Sequence, residues 1–156
     1  MAQRTKINKE KTISTANAKQ TRLPKVTPLN TITLNGKVVS GEGNGKKYLS
    51  LPWVKKQIEE KLGFTPYLGT LNLQLSTGSV ARRKLLETTN ALQIFPPEGY
   101  CAGLVFKACI SGTECAIVIP QVKNYPKSLL EIIAPENLRE KFHLTDGKKI
   151  SVTVNL

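Results

Sequence analysis

Short blocks of apolar residues, each closed by Gly, Pro, Asn or Asp, punctuate the chain from about residue 31 onward, and most carry a strand period rather than a helix period. Thr31 to Val39 (TITLNGKVV) predicts a first strand, interrupted by a turn signal at Asn35-Gly36. A glycine-dense loop, Ser40 to Lys47, follows, and Tyr48 to Leu51 predicts a short second strand. From Pro52 to Leu62 the period changes: Val54, Ile58 and Leu62 recur every four residues among Lys and Glu, which is a helix with one buried stripe, closed by Gly63. Trp53 beside that stripe reads as a core or hinge anchor.

Gly69 to Leu75 alternates strictly, Leu71, Leu73 and Leu75 against Thr70, Asn72 and Gln74, so one face is buried and three hydrogen-bonding side chains share the other. Residues 76–90 lack a firm period and predict a connection with a short helix around Arg82 to Leu86. Behind the breaker cluster at residues 96–99, Leu104 to Ile110 and Cys115 to Ile119 predict a hairpin around Ser111-Gly112-Thr113. Leu129 to Ala134 is a further apolar run, Pro135 suits the start of a helix over Glu136 to Phe142, and Asp146-Gly147 turns into a last strand, Lys149 to Val154. Six or seven turn-bounded strands with two or three short helices and no strand–helix alternation predict a mainly β fold, a barrel rather than a parallel sheet.

Length and charge refine this picture. The 156 residues suit a single domain, and no apolar run approaches the roughly 20 residues of a membrane-spanning helix. The net charge of +12 favours anionic partners of every kind, so its placement matters more than its size. Residues 1–30 hold seven Lys and Arg against one acid, half of the excess, with few large apolar groups. They read as a flexible basic tail ahead of a domain over residues 31–156. No apolar stretch follows the basic residues, so no secretory leader is predicted. Cys101, Cys109 and Cys115 follow no metal-binding spacing and read as core thiols of a cytoplasmic protein. The lone His143 reads as a surface residue near a helix end, which excludes multi-histidine metal sites.

Three places could carry chemistry. In Gly41-Glu42-Gly43-Asn44-Gly45-Lys46 the glycines let backbone amides turn toward phosphate oxygens while Lys46 adds charge, although the spacing fits neither a Walker loop nor a dinucleotide fingerprint. An ordinary turn is the competing reading. Thr70 and Asn72, two residues apart on one strand face, are neutral oxygen ligands of the kind that suits a hydrated Mg²⁺, or simply solvent-facing side chains. The third is the stretch Asn124-Tyr125-Pro126 through Glu131, continued by Glu136-Asn137-Leu138-Arg139; its lone carboxylate amid apolar residues could hold or deprotonate a hydroxyl, or pair with a lysine.

GKVVSGEGNGKKYLSLP, LGFTPYLGTLNLQL, AIVIP and LEIIAPENLREKFHLTDGKKISV occur in one order, and over Leu34 to Val154 the chain resembles the archaeal CTP-dependent riboflavin kinase family. That resemblance implies a compact six-stranded cradle-loop β-barrel that uses CTP and Mg²⁺ to phosphorylate riboflavin, yielding FMN and CDP. It implies that Gly41, Glu42, Gly43, Asn44, Gly45 and Lys46 cradle the nucleotide and that Thr70 and Asn72 hold the metal. Glu136, Asn137, Leu138 and Arg139 would complete the nucleotide pocket. Asn124, where the family usually has Thr, and Glu131 would face the flavin, with Glu131 accepting or orienting the proton of the ribityl hydroxyl. A monomer without membrane association is expected. Two rival readings are a flavin- or nucleotide-binding module without catalysis and a nucleic-acid-binding protein acting through the basic tail.

Overall fold

The computed structural model describes residues 30–156, so the reading of residues 1–30 as a flexible tail lies, but for Asn30, outside the described residues. Seven strands are present: β1 (Thr31–Val39), β2 (Leu71–Leu75), β3 (Leu92–Ile94), β4 (Gly103–Ile110), β5 (Thr113–Pro120), β6 (Leu129–Ile133) and β7 (Lys149–Asn155). Four short helices join them: α1 (Asn44–Leu49), α2 (Pro52–Leu62), α3 (Thr77–Arg83), running into a 3-10 turn at Lys84–Thr88, and α4 (Leu138–Lys141). The strand order β4-β5-β6-β2-β1-β7 closes on itself, because β7 pairs back to β4 through Ala108 with Val154 and Cys109 with Thr153. The result is a six-stranded antiparallel barrel, with β3 appended to the other half of β4 through Leu92 with Val105 and Ile94 with Gly103. Closure leaves the barrel without an open edge.

Leu34, Val38, Leu73, Phe106, Ile117, Leu130 and Val152 fill the barrel interior. A second cluster forms where Val54, Ile58 and Leu62, the predicted stripe of α2, meet Val105, Ala116 and Ile133. Gly63 ends α2 in the left-handed conformation (φ 80°) and donates its N–H to the Glu59 carbonyl at 3.0 Å. The hairpin also forms as predicted, with Ser111 (φ 47°) and Gly112 (φ 80°) in a tight turn that matches the strand twist. Among the described residues no helix is long and apolar enough to cross a membrane.

Elsewhere the structure corrects the sequence pattern. β1 runs unbroken through Asn35-Gly36; the glycine is there because a Cβ would lie 2.7 Å from the Gln74 carbonyl oxygen of β2. Tyr48 to Leu51 is not a strand. Gly43 turns the chain (φ 84°) into α1, which buries Leu49 and half-buries Tyr48, and four apolar residues cannot by themselves distinguish the two states. α3 starts earlier than expected because the Ser76 hydroxyl caps it, accepting from the Ser79 N–H at 3.4 Å. α4 starts later, because Asn137 Oδ1 accepts from the Arg139 and Glu140 N–H groups. β3 was invisible at three residues; the Gln57 side chain extends it, exchanging two 2.8 Å hydrogen bonds with the Phe95 backbone. Of the cysteines only Cys115 is buried; Cys109 is partly buried, and Cys101 is exposed on the segment leading into β4. His143 is exposed just past α4. Trp53 stacks edge-on between Tyr48 and Tyr100.

Candidate functional site

Strand register assembles the site. Asn72 stands opposite Val39 in the β1–β2 ladder and opposite Glu131 in the β2–β6 ladder. Opposed residues on neighbouring strands project from the same face, so the Asn72 and Glu131 side chains lie side by side, and Thr70 joins them two residues earlier. The Thr70 hydroxyl lies 3.2 Å from Asn72 Oδ1 and 3.2 Å from Glu131 Oε1. With one proton it donates to only one of them at a time. The second Glu131 oxygen, Oε2, accepts from the Tyr125 hydroxyl at 2.5 Å.

Immediately after Val39 the chain becomes the glycine loop, and it passes directly over these side chains. A Cβ on Gly41 would overlap the Asn72 amide nitrogen, and one on Gly45 would sit 2.5 Å from Thr70 Oγ1. This close cover explains why Asn72, predicted on a polar outer face, is only 9% exposed while Gln74 on the same strand stays in solvent. Gly41, Glu42, Gly43, Asn44, Gly45, Lys46, Thr70, Asn72, Glu131, Glu136, Asn137, Leu138 and Arg139 all line one cavity of about 880 Å³, near the upper end of the range for small-molecule sites. Asn124 is not brought to it. That residue is exposed in a left-handed turn (φ 65°), and its neighbour Tyr125 faces the cavity instead.

The lining carries two bases, Lys46 and Arg139, against three acids, Glu42, Glu131 and Glu136. A polyphosphate here must therefore draw its neutralisation from loop amides and a bound cation as well as from side chains. The hydroxyl and amide oxygens of Thr70 and Asn72 are hard donors that fit Mg²⁺. No group of three His, Cys, Asp or Glu suited to a metal exists among the described residues.

Several contributors carried no legible signal. Asp146, legible only as a turn residue, accepts from Ser40 Oγ at 2.6 Å and from Arg139 Nη2 at 2.7 Å, and Arg139 also donates to the Val39 carbonyl at 3.2 Å. The start of the glycine loop is thereby clamped to the 136–139 segment. The Ser40 hydroxyl first, then Arg139, holds the Asp146 carboxyl below its ordinary 3.8. Such a clamp contributes stability above pH 3.8 that is lost as the pH falls through and below that value. Asp146→Asn is expected to give melting temperatures slightly below the parent at neutral pH and converging with it in acid; melts from pH 7 to pH 3 check this. Tyr48, on the cavity wall, keeps its hydroxyl buried with no hydrogen-bond partner among the described residues; burial, with a smaller contribution from Cys101, pushes it up to about 12.

Comparison with known proteins bears directly on this cavity. Residues 38–154 match the family model CTP-dep_RFKase, described as domain of unknown function DUF120. The chain belongs to this CTP-dependent riboflavin kinase family. It is similar to proteins named riboflavin kinase from Methanosarcina barkeri, at 40% identity over 131 residues, and Archaeoglobus fulgidus, at 44% over 130. These alignments cover 80% and 81% of this chain but 57% and 56% of the two relatives, so the chain spans little over half their length. A riboflavin kinase from Ignicoccus hospitalis is 42% identical over 127 residues, 79% of this chain and 71% of that protein. The family match opens at Val38, just before the glycine loop, and takes in every lining residue of the cavity.

Proposed function

We propose that this cavity transfers the terminal phosphate of CTP to the 5′-hydroxyl of riboflavin, giving FMN and CDP. The observation that carries the reading is the contact of the glycine loop, through Gly41 and Gly45, with the side chains of Asn72 and Thr70, beside the Glu131 carboxylate and inside one cavity. Family membership and the riboflavin kinase names of the relatives supply the nucleotide and the acceptor.

Phosphoryl transfer asks a protein mainly to place two oxygens in line and to offset charge. In this reading the amides of Gly41 to Lys46 bind the phosphates and Lys46 adds a positive charge. Thr70 and Asn72 hold Mg²⁺, which when bound neutralises phosphate oxygens. The 136–139 segment closes around the base. Glu131 receives the proton of the ribityl hydroxyl as its oxygen bonds to the terminal phosphorus and the bond to the bridging oxygen of CDP breaks. Both Glu131 oxygens retain lone pairs beyond those used by Thr70 and Tyr125, so the hydroxyl has an acceptor. Incubation of the purified protein with riboflavin, Mg²⁺ and each nucleoside triphosphate in turn, followed by chromatography, is expected to yield FMN with CTP. Absence of FMN with every triphosphate rules the reading out, and equal yields from all four remove the role of the 136–139 segment in selecting the base.

A further inference from the structure

Glu131 is held from two sides. Thr70 lies against Oε1 at 3.2 Å, and the Tyr125 hydroxyl donates to Oε2 at 2.5 Å. Tyr125 belongs to the connector between β5 and β6, not to the barrel wall, yet it is partly buried and lines the same cavity. A hydroxyl that lends a lone pair to a cation must send its proton elsewhere, and Glu131 Oε1 is one of the two acceptors within reach of Thr70. The other, Asn72 Oδ1, is itself one of the oxygens proposed to hold the cation. The rotation of the Glu131 carboxylate therefore decides where the Thr70 lone pairs point.

We infer that Tyr125 is a positioning residue for the phosphate-binding corner: its hydroxyl fixes the Glu131 carboxylate so that Glu131 accepts the Thr70 O–H hydrogen bond and leaves the Thr70 and Asn72 oxygens turned toward a nucleotide-bound divalent cation. This rests on the proposed phosphate transfer and assigns a role to a residue outside the glycine loop, the Thr70/Asn72 pair and the 136–139 segment. Burial, and then the hydrogen bond to Glu131, push the phenol well above its ordinary 10.0, so it stays protonated and donates throughout the neutral range. The buried Arg83 guanidinium, close enough to oppose that shift, does not abolish it. Outer partners that orient metal-holding side chains change affinity or rate by about 10- to 100-fold when removed.

Tyr125→Phe deletes only the hydroxyl. Titration of Mn²⁺ with CDP, followed by electron paramagnetic resonance, is expected to show about tenfold weaker binding. Turnover should fall by a similar factor, with the riboflavin KM within twofold of the parent. In a Glu131→Gln background the same change should cause no further loss, because the coupling runs through that carboxylate. If Tyr125 merely pins the connector, Y125F lowers the melting temperature and leaves Mn²⁺–CDP binding within twofold, and the inference falls. Weaker Mn²⁺–CDP binding in a protein that makes no FMN keeps the inference and removes the proposed reaction; unchanged binding beside normal FMN synthesis does the reverse. Should Y125F fail to fold, 3-fluorotyrosine at position 125, a stronger donor of nearly the same shape, is expected to tighten Mn²⁺–CDP binding, and unchanged or weaker binding contradicts the inference.

Discussion

Glu131→Gln is expected to lower kcat for FMN formation by about 100-fold or more, the contribution typical of a positioned proton acceptor, while the protein stays folded. The substitution preserves size, and the Gln oxygen can still accept from Thr70, but the carboxamide cannot take a proton from an attacking hydroxyl. Its NH₂ group can only donate to the Tyr125 oxygen, which reverses the 2.5 Å hydrogen bond that the carboxylate received. Steady-state kinetics with riboflavin varied, together with a thermal melt, separate lost chemistry from lost structure. Unchanged turnover and riboflavin affinity would show that Glu131 takes no part.

The second large effect comes from glycine. Gly45 is the second residue of α1, and its backbone lies outside the left-handed region, so alanine there improves helix propensity by about 1 kcal/mol. The added Cβ nevertheless falls 2.5 Å from Thr70 Oγ1 and 2.6 Å from its Cγ2. Either the loop lifts or Thr70 turns away. Gly45→Ala is therefore expected to change the melting temperature little, the propensity gained offset by the strained contact, while lowering kcat/KM for CTP by about 100-fold, the scale of an ångström-sized misplacement. Gly43→Ala should do the opposite. Gly43 has φ 84° and nothing within 4 Å of its would-be Cβ, so it costs about 1 to 2 kcal/mol of stability and leaves Thr70 where it is. Paired melts and steady-state kinetics with CTP varied on the two variants test this crossing pattern; a parallel response in both would mean that the loop does not depend on contact with Thr70.

The glycines also mark the boundary of what was legible in the residues alone. A Gly-rich loop ending in Lys is readable as a source of exposed amides, but the need for glycine at 41 and 45 arises from the side chains of Asn72 and Thr70, 31 and 25 residues onward at the start of another strand. The α2 stripe and the β4–β5 hairpin are encoded by local period and turn chemistry, and both formed where expected. Thr70 and Asn72 were readable as a pair because strand alternation is local. Their partner Glu131 lies 61 residues from Thr70, and only the β2–β6 register sets them side by side. Tyr125 and Asp146 act through single hydrogen bonds across loops, which leave no periodic trace. α1 escaped because its apolar residues are too few to display a period, and at Asn124 the left-handed turn leaves Tyr125, not Asn124, lining the cavity.

A crystal structure of the protein with Mn²⁺ and a non-hydrolysable CTP analogue probes the proposed convergence directly. The anomalous signal of Mn²⁺ is expected at coordination distance from Thr70 Oγ1 and Asn72 Oδ1, with the triphosphate running along the amides of Gly41 to Lys46 and the base against Glu136 to Arg139. Mn²⁺ and triphosphate bound anywhere else on the barrel, with Thr70 and Asn72 left to each other and to Glu131, would contradict the assignment of this cavity as the phosphate-transfer site.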